Sequence, residues 1–324
     1  MTATPDADRM PLDKAGLVFI AGHQGMVGSA IWRHFEARGF TNLIGRSSAE
    51  LDLRDRKPTM ETLDALHPAV VIDAAARVGG ILANNTYPAE FLSDNLRIQT
   101  NLLDAAQQAG VERFLFLGSS CIYPKFAAQP IPETALLTGA LEPTNEAYAI
   151  AKIAGIAHVQ ALRRQYGLRY ISAMPTNLYG PGDNFHPSKS HVLPALIRRF
   201  HEAAVSGDSS VTCWGTGTVR REFLHVDDLA VACEHLLETY DDARAINVGT
   251  GIDETIRDVA LQVAKVVGFT GEILWDHSKP DGTPRKVLDV SRVHALGWQA
   301  RIPFDEGLES TYRWFVEHQL DLRR

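Results

Sequence analysis

The chain has 324 residues, of which 45% are hydrophobic and 22% charged, which is enough for a large core and for two lobes. Its formal net charge of −7 argues against a nucleic-acid partner, because phosphate binding needs a clustered basic face. No window approaches the roughly 18 uninterrupted apolar residues of a membrane span, and residues 1–16 lack a signal-peptide layout. Three cysteines make no disulfide framework, so we expect a cytoplasmic protein without a membrane partner.

Short apolar runs alternate with helical patterns over the first half of the chain. Residues 17–21 form an apolar run without alternation, which is typical of a strand buried on both faces of a parallel sheet. Similar runs predict further strands at residues 43–44, 70–72, 114–117 and 170–174. Apolar residues at helical spacing predict helices at residues 26–38, 58–66, 91–109 and 147–164. The alternation predicts an α/β fold with a doubly wound parallel sheet.

The alternation of predicted strands and helices ends after Pro175. Residues 177–190 are rich in Gly, Pro, Asn and Ser and predict an irregular connection, after which short strands and helices predict a smaller C-terminal α/β lobe for the substrate. Residues 223–226, followed by Asp227 and Asp228, predict a strand that runs into an acid-capped helix and could return to the large sheet. The helices predicted in this part of the chain lie near residues 192–204, 255–267 and 305–316. The predicted lobes are residues 16–180 plus roughly 223–252, and roughly 181–222 plus 253–324.

Three glycines lie between the first predicted strand and the first predicted helix. Gly22, Gly25 and Gly28 have the spacing of a dinucleotide-binding turn: the first permits the turn, the second lets a pyrophosphate approach, and the third lets helix pack on strand. The helix N-terminus then offers free N–H groups to the phosphates. The alternative is an ordinary glycine-rich turn. We expect the whole loop to bind the dinucleotide, which adds His23, Gln24, Met26 and Val27.

The end of the second predicted strand indicates which dinucleotide binds. An NAD site places an acidic residue there, roughly 20 residues after the glycines, to hold the ribose 2′-OH. This chain has Arg46, then Ser47 and Ser48, with no carboxylate directly after the strand. A guanidinium suits a 2′-phosphate, so we predict an NADP(H)-binding Rossmann domain, although Arg46 could also be a solvated surface residue. Asp52 and Leu53 lie farther along and are expected to border the adenine.

A tyrosine and a lysine stand four residues apart on the helix predicted at residues 147–164. Tyr148 and Lys152 therefore share one face, where a cation lowers the pKa of a phenol and suits it to proton transfer. Ser119 follows the strand at residues 114–117, and the carboxyl ends of parallel strands are where ligands bind. We expect Ser119 and Tyr148 to converge on one oxygen. The alternatives to a catalytic role are that Ser119 is only a turn hydroxyl and that Tyr148 is only a half-buried aromatic residue of the helix.

With this glycine turn, serine and Tyr-x-x-x-Lys pair, the chain resembles the extended short-chain dehydrogenase/reductase family. It looks most like members that epimerise GDP-4-keto-6-deoxy-D-mannose at C3 and C5 and reduce its C4 ketone with NADPH to give GDP-L-fucose. The matching stretches, which cover nearly the whole chain after residue 16, are residues 21–29, 76–88, 118–124, 142–146, 175–187, 221–228 and 279–286. The resemblance implies a homodimer and no metal ion.

The resemblance also implies roles for individual residues. Cys121 would be the base of the epimerisation and His191 its acid, and their reference pKa values, about 8.5 and about 6.5, suit both to proton exchange near neutral pH. A small buried hydrophobe is the ordinary reading of such a cysteine. Tyr148 would protonate the C4 oxygen, Lys152 would lower the tyrosine pKa, and Ser119 would polarise the carbonyl. Pro175, Thr176, Asn177 and Leu178 would line the nicotinamide end, and Lys152 would bind the nicotinamide ribose. The other residues expected to bind the cofactor are Leu117, Gly118, Ser119, Ser120, Tyr148 and His191.

The sugar nucleotide would bind in the second lobe. By resemblance its pyrophosphate and guanosine would contact Arg199, Trp214, Arg221, Asp281 and Lys286. Gln24 and Ser48 stand where relatives often have basic residues, which leaves Arg46 as the main cation for a 2′-phosphate. Two other functions stay open: another nucleotide-sugar epimerase or dehydratase of the same family, and a non-catalytic dinucleotide sensor.

Overall fold

The structure is a computed structural model that describes residues 9–187, 190–279 and 281–319. The strands are β1 (Val18–Ala21), β2 (Leu43–Ile44), β3 (Val70–Asp73), β4 (Arg113–Leu117), β5 (Arg169–Pro175), β6 (Asn177–Tyr179), β7 (Ser210–Trp214), β8 (Arg220–His225), β9 (Ile246–Val248), β10 (Asp253–Thr255), β11 (Glu272–Asp276) and β12 (Arg285–Lys286). The helices are α1 (Met26–Ala37), α2 (Arg56–Leu66), α3 (Ile81–Thr86), α4 (Pro88–Gln108), α5 (Glu146–Tyr166), α6 (Val192–Ser206), α7 (Val226–Thr239), α8 (Ile256–Val267), α9 (Ser291–Ala295) and α10 (Phe304–Glu317).

A six-stranded parallel sheet in the order β2-β1-β3-β4-β5-β9 forms the centre of the large lobe. The chain moves outward from β1 in both directions, so the strand order reverses between β1 and β3. The strands β1 and β3 are buried at every position, as expected of strands covered on both faces, and they are apolar except for Asp73 at the end of β3. Helices α1 and α7 pack together, as do α4 and α5. The predicted doubly wound parallel sheet is confirmed.

The strand register sets one row of side chains across this sheet. Ala21 pairs with Asp73, Asp73 with Phe116, and Phe116 with Ser172. Neighbouring residues in a parallel register point to the same face. The ring of Phe116 lies against α5, because a Cβ atom on Gly155 would overlap it. The row therefore faces the helix that carries Tyr148 and Lys152.

The second lobe has its own sheets and its own core. Strand β8 lies between β10 and β12 and also pairs with β6, while β7 pairs with β11. A separate apolar cluster, which includes Phe185, Phe200 and Phe315, packs among α6, α8 and α10. The predicted boundaries of the two lobes stay a prediction.

Three sequence expectations about this part of the chain were wrong. The connection predicted as irregular begins with strand β6, which forms because residues 177–179 pair with residues 223–225 of β8. The same pairing places β8 in the small sheet, and β9 takes the edge of the large sheet instead. Helix α7 is also not capped by an acid: the Nδ1 atom of His225 accepts from the Asp227 N–H at 3.3 Å, and Asp227 and Asp228 lie in the first turn.

Across the described ranges, no helix combines the length and the apolar character needed to cross a membrane.

Candidate active site

The glycine turn joins β1 to α1 and is packed as the sequence pattern predicts. Gly22 has a φ of +75°, and a Cβ atom there would lie 2.8 Å from the carbonyl oxygen of Ala74. A Cβ on Gly28 would overlap the carbonyl oxygen of Gly22 and stand 2.7 Å from the Cα of His23. Helix α1 has no side-chain cap and no acidic residue in its first turn. Its first N–H groups are therefore open to an anion, which fits a dinucleotide pyrophosphate.

The end of β2 brings together residues that the sequence did not connect. A Cβ on Gly45 would overlap the imidazole of His23, so that ring covers the strand end. Its Nδ1 atom is buried and has no hydrogen-bond partner within the described part of the chain. Glu50 folds back and accepts from both the N–H and the hydroxyl of Ser47 at 2.8 Å. These hydrogen bonds, with Arg46 and His23 nearby, lower the pKa of Glu50.

A carboxylate therefore does stand near Arg46, although none directly follows the strand in sequence. Arg46 itself donates to the carbonyl oxygen of Gly45 at 3.1 Å. Asp52 forms an ion pair with Arg54 at 2.6 Å, and the Leu53 carbonyl accepts from Asn101 at 2.8 Å. Adenine contacts for Asp52 and Leu53, and a cofactor contact for Ser48, stay predictions.

The predicted catalytic residues of the large lobe meet at the carboxyl end of β4. Ser119 caps a short 3₁₀ turn (Ser120–Ile122), and its hydroxyl accepts from the N–H of Cys121 at 3.4 Å. Lys152 reaches across from α5 and donates to the Leu117 carbonyl at 2.8 Å. The Lys152 ammonium lies 6.0 Å from the Tyr148 ring centroid. Pro175 ends β5, the strand next to β4, and Asn177 and Leu178 begin β6, which pairs with β8.

Burial dominates the electrostatics of the Tyr148–Lys152 pair. It raises the pKa of the Tyr148 phenol, and negative charge at Cys121 and Asp73 raises it further. Burial lowers the pKa of Lys152, and Asp73 and Cys121 oppose that shift. The expected lowering of the tyrosine pKa by Lys152 is therefore outweighed in this structure by desolvation of the phenolate.

Lys286 connects the two residues predicted to carry out the epimerisation. Burial raises the pKa of the Cys121 thiol, and the Lys286 ammonium opposes this. Burial and the same ammonium lower the pKa of His191. His191 keeps an exposed surface at the N-terminal end of α6, although protein surrounds it closely enough to shift its pKa. Lys286 is therefore close enough to Cys121 and to His191 to act on the charge of both.

The predicted sugar-nucleotide residues fall into two groups. Burial lowers the pKa of Arg221, while Asp281 and Glu142 raise it, so these three lie together near Lys286. Asp281 also accepts from the N–H and the hydroxyl of Thr216, at 2.8 and 2.9 Å. Sequence reasoning missed Glu142 at this site. It stands in a stretch quoted for the family resemblance, and its ion pair with Lys125 at 2.9 Å was not visible in the sequence.

The second group is Trp214 with the cations beside it. Trp214 is 57% exposed on β7. The guanidinium of Arg199 and the ammonium of Lys279 lie 6.0 and 5.8 Å from its ring. An exposed indole is able to stack on a base, and the two cations beside it could hold a phosphate, so a substrate contact for Trp214 and Arg199 stays a prediction.

A different groove, of about 840 Å³, lies between α8 and α10 and contains none of the predicted site residues. Within the described residues, no three His, Cys, Asp or Glu side chains are clustered so as to hold a metal ion.

Comparison with known proteins shows the family to which the chain belongs. The profile of the NAD dependent epimerase/dehydratase family matches residues 18–249. The GDP-L-fucose synthase of Escherichia coli K12 is 56% identical, over 93% of this chain and 97% of the relative. GDP-L-fucose synthase 1 of Arabidopsis thaliana is 57% identical, over 94% and 95%.

Solved structures give the same result. The GDP-L-fucose synthetase of Naegleria fowleri, solved with NADP bound, superposes with a TM-score of 0.90 at 26% identity, over 98% of this chain and 99% of that one. A GDP-6-OMe-4-keto-L-xylo-heptose reductase from C. jejuni superposes with a TM-score of 0.89 at 33% identity, over 95% and 99%. The chain therefore belongs to the NAD dependent epimerase/dehydratase family, the extended short-chain dehydrogenase/reductases, and within it to the GDP-L-fucose synthases.

Proposed function

We propose that this chain epimerises GDP-4-keto-6-deoxy-D-mannose at C3 and C5 and then reduces the C4 ketone with NADPH to give GDP-L-fucose. The observation that carries the proposal is the convergence of Cys121, Tyr148 and Lys152 at the end of β4, with Lys286 acting on both Cys121 and His191. The high identity to GDP-L-fucose synthases over nearly the full chain supports it.

The epimerisation needs a base on one face of the sugar and an acid on the other. Cys121 as thiolate removes the proton beside the ketone, and the carbonyl oxygen takes up the negative charge as an enolate. His191 then protonates the carbon from the opposite face. Lys286 favours the thiolate by its positive charge, and because it lowers the pKa of His191, the imidazolium is a stronger acid once formed. Lys286 therefore acts in the reaction as well as in binding.

The reduction uses the residues of α5. The open N-terminal end of α1 and the buried, unpaired His23 Nδ1 fit a bound dinucleotide, and its nicotinamide supplies the hydride when bound. Tyr148 transfers its proton to the C4 oxygen, Ser119 donates a hydrogen bond to the same oxygen, and Lys152 stabilises the phenolate that remains. Arg46 at the end of β2 favours NADP(H) over NAD(H), with Glu50 weakening that preference.

Isotope exchange tests the proposal. Incubation with the 4-keto sugar in deuterated water without NADPH is expected to place deuterium at C3 and C5, and NADPH added afterwards is consumed with the sugar one to one. We expect Cys121→Ser to lose the exchange and still bind NADPH. Tyr148→Phe is expected to slow reduction by about 10²- to 10⁴-fold, the usual contribution of a positioned acid, with exchange retained. Equal loss of both activities in both variants would contradict this division of roles.

Two alternatives are separated by other measurements. A dehydratase of the family needs an acidic pair beside Ser119, and this chain has Ser120 and Cys121 at those positions. A non-catalytic dinucleotide sensor does not require Ser119, Tyr148 and Lys152 together, and it would not consume NADPH. A relative named GDP-L-colitose synthase, 37% identical over 93% of this chain, makes a screen of 4-keto-6-deoxy nucleotide sugars the direct test of the substrate. A homodimer and a cytoplasmic location stay predictions.

A further inference from the structure

Asp73, the last residue of β3, carries a buried carboxyl group with no role in the reaction described above. Its side chain is fully buried. One oxygen, Oδ1, accepts from the N–H of Ala75 at 3.1 Å, and Oδ2 has no hydrogen-bond partner among the described residues. An unpaired buried carboxylate oxygen is costly, so the group needs a physical reason to be there.

The strand register places this carboxyl on the same side of the sheet as the reactive pair. Asp73 is paired with Phe116 on the neighbouring strand, so both side chains face α5. The ammonium of Lys152 lies 4.7 Å from the Phe116 ring centroid. Lys152 is itself buried and donates to the Leu117 carbonyl rather than to a carboxylate. Asp73 and Lys152 therefore act on each other through a buried, low-dielectric region without a direct ion pair.

The surroundings leave few other charges to act on this carboxyl. Its neighbours in the row are apolar, Ala21 on β1 and Phe116 on β4, and Ser172 on β5 lies beyond. Helix α4 contributes the neutral Gln99, which donates to the Ala151 carbonyl next to Lys152. From α5, Lys152 acts on Asp73, and Asp73 in turn acts on Tyr148.

We propose that Asp73 is a positioning residue for the reduction, whose buried carboxylate is the counter-ion that keeps Lys152 protonated beside Tyr148. This rests on the proposed function. Burial raises the pKa of Asp73 to about 6, and Lys152 opposes that shift. The carboxylate is therefore ionised at neutral pH and supports the Lys152 charge there, and the support is lost as the pH falls through about 6.

The sign of the effect on the reaction follows from charge. Removing a negative neighbour makes both Lys152 and Tyr148 hold their protons less tightly. Reduction needs both groups protonated, so its alkaline limb moves to lower pH without Asp73. A nearby opposite charge typically shifts a pKa by about 1 to 3 units, and the absence of a direct pair places this shift near the lower end.

The test compares pH profiles of kcat for reduction at saturating NADPH in the wild type, Asp73→Asn and Asp183→Asn. Asp183 is a matched control: it is also buried, and one of its carboxylate oxygens has no partner among the residues that the structure describes. Its pKa is raised to about 7 by burial, and no cation is among the causes. We expect Asp73→Asn to move its alkaline limb down by about 1 unit. Asp183→Asn is expected to keep the wild-type alkaline limb.

A second measurement does not depend on the sugar substrate. Carbon-13 NMR of labelled lysine side chains, with the Lys152 signal assigned by Lys152→Met, reports the Lys152 pKa directly. We expect that pKa to fall in Asp73→Asn and to be unchanged in Asp183→Asn. If Asp73→Asn does not fold, Asp73→Leu removes the charge without burying a polar group and serves in its place.

The outcomes separate this inference from the proposed function. A folded Asp73 variant with the wild-type alkaline limb and the wild-type Lys152 titration overturns the role of Asp73. A wild type that reduces no 4-keto sugar overturns the proposed function, and the Lys152 titration still decides whether Asp73 is its counter-ion.

Discussion

Replacing Gly28 with alanine separates the packing role of the glycine turn from its binding role. The added Cβ would overlap the Gly22 carbonyl oxygen and lie 2.6 Å from the Gly22 carbonyl carbon and 2.7 Å from the Cα of His23. All three are backbone atoms, so α1 or the turn has to move as a unit. Overpacking of this kind typically destabilises the folded state by about 1–3 kcal/mol, and the better helix propensity of alanine stabilises it by about 1 kcal/mol.

We therefore expect Gly28→Ala to lower the free energy of unfolding by about 1–2 kcal/mol. The loss is expected in the upper part of this range, because the overlapped atoms belong to the backbone and cannot move independently. In a chain of this size, whose entropy of unfolding is on the order of 0.7 kcal/mol/K, that lowers the thermal midpoint by roughly 1.5–3 °C. Thermal unfolding followed by circular dichroism measures it. NADPH affinity, measured by calorimetric titration, is also expected to fall because the turn is displaced.

Gly25→Ala is the control within the same turn. Its Cβ would come no closer than 3.3 Å to protein atoms, and its φ of −78° suits any residue. The thermal midpoint is expected to stay close to that of the wild type, whereas NADPH binding weakens, because the methyl group stands at the open end of α1. A Gly28→Ala variant as stable as the wild type would refute the crowding argument. Unchanged NADPH affinity in Gly25→Ala would show that the phosphates bind elsewhere.

Two further predictions concern charged side chains. Arg46→Ala is expected to raise the KM for NADPH roughly tenfold, because one or two charge-assisted hydrogen bonds to the 2′-phosphate are lost. The KM for NADH is expected to stay nearly unchanged, and equal changes in both KM values would contradict a 2′-phosphate contact. Asp253 accepts from Arg285 at 2.7 Å and from Arg220 at 2.9 Å, and these bonds lower its pKa. Asp253→Asn is expected to lower the free energy of unfolding by about 1 kcal/mol at pH 7, a small loss because both arginines are partly exposed. This difference in stability from the wild type is expected to shrink below about pH 4, because the wild-type carboxylate is protonated there.

Strands β1, β3 and β4 of the large sheet were predictable from the sequence because each contains a short, unbroken apolar run, whereas the edge strand β9 was not predicted. Residues 17–21 and 70–72 correspond to β1 and β3 within one residue at each end. The glycine spacing likewise predicted the turn, since only glycine fits where Gly22 adopts a positive φ and Gly28 packs on its carbonyl. These are local constraints that one stretch of sequence carries alone.

Features that depend on distant pairing were not predictable. The three residues of β6 read as a loop, and they become a strand because β8, more than forty residues later, offers a parallel partner. Glu50 reads as a surface residue of a polar stretch, and its position near Arg46 comes from its hydrogen bonds to Ser47. Sequence spacing gives no measure of either interaction.

The Tyr-x-x-x-Lys spacing shows why a motif does not fix the chemistry of its members. Four residues on a helix bring Tyr148 and Lys152 to one face, which by itself favours a lower tyrosine pKa. The depth at which α5 lies on the sheet acts in the opposite direction on both groups, because it disfavours the phenolate and the ammonium alike. The balance then depends on a third group placed by strand register, the carboxyl of Asp73, which supports the ammonium and opposes the phenolate. A lysine that stays charged beside a tyrosine that stays protonated is the state a reduction needs before the proton is transferred, and burial with one carboxylate favours that state.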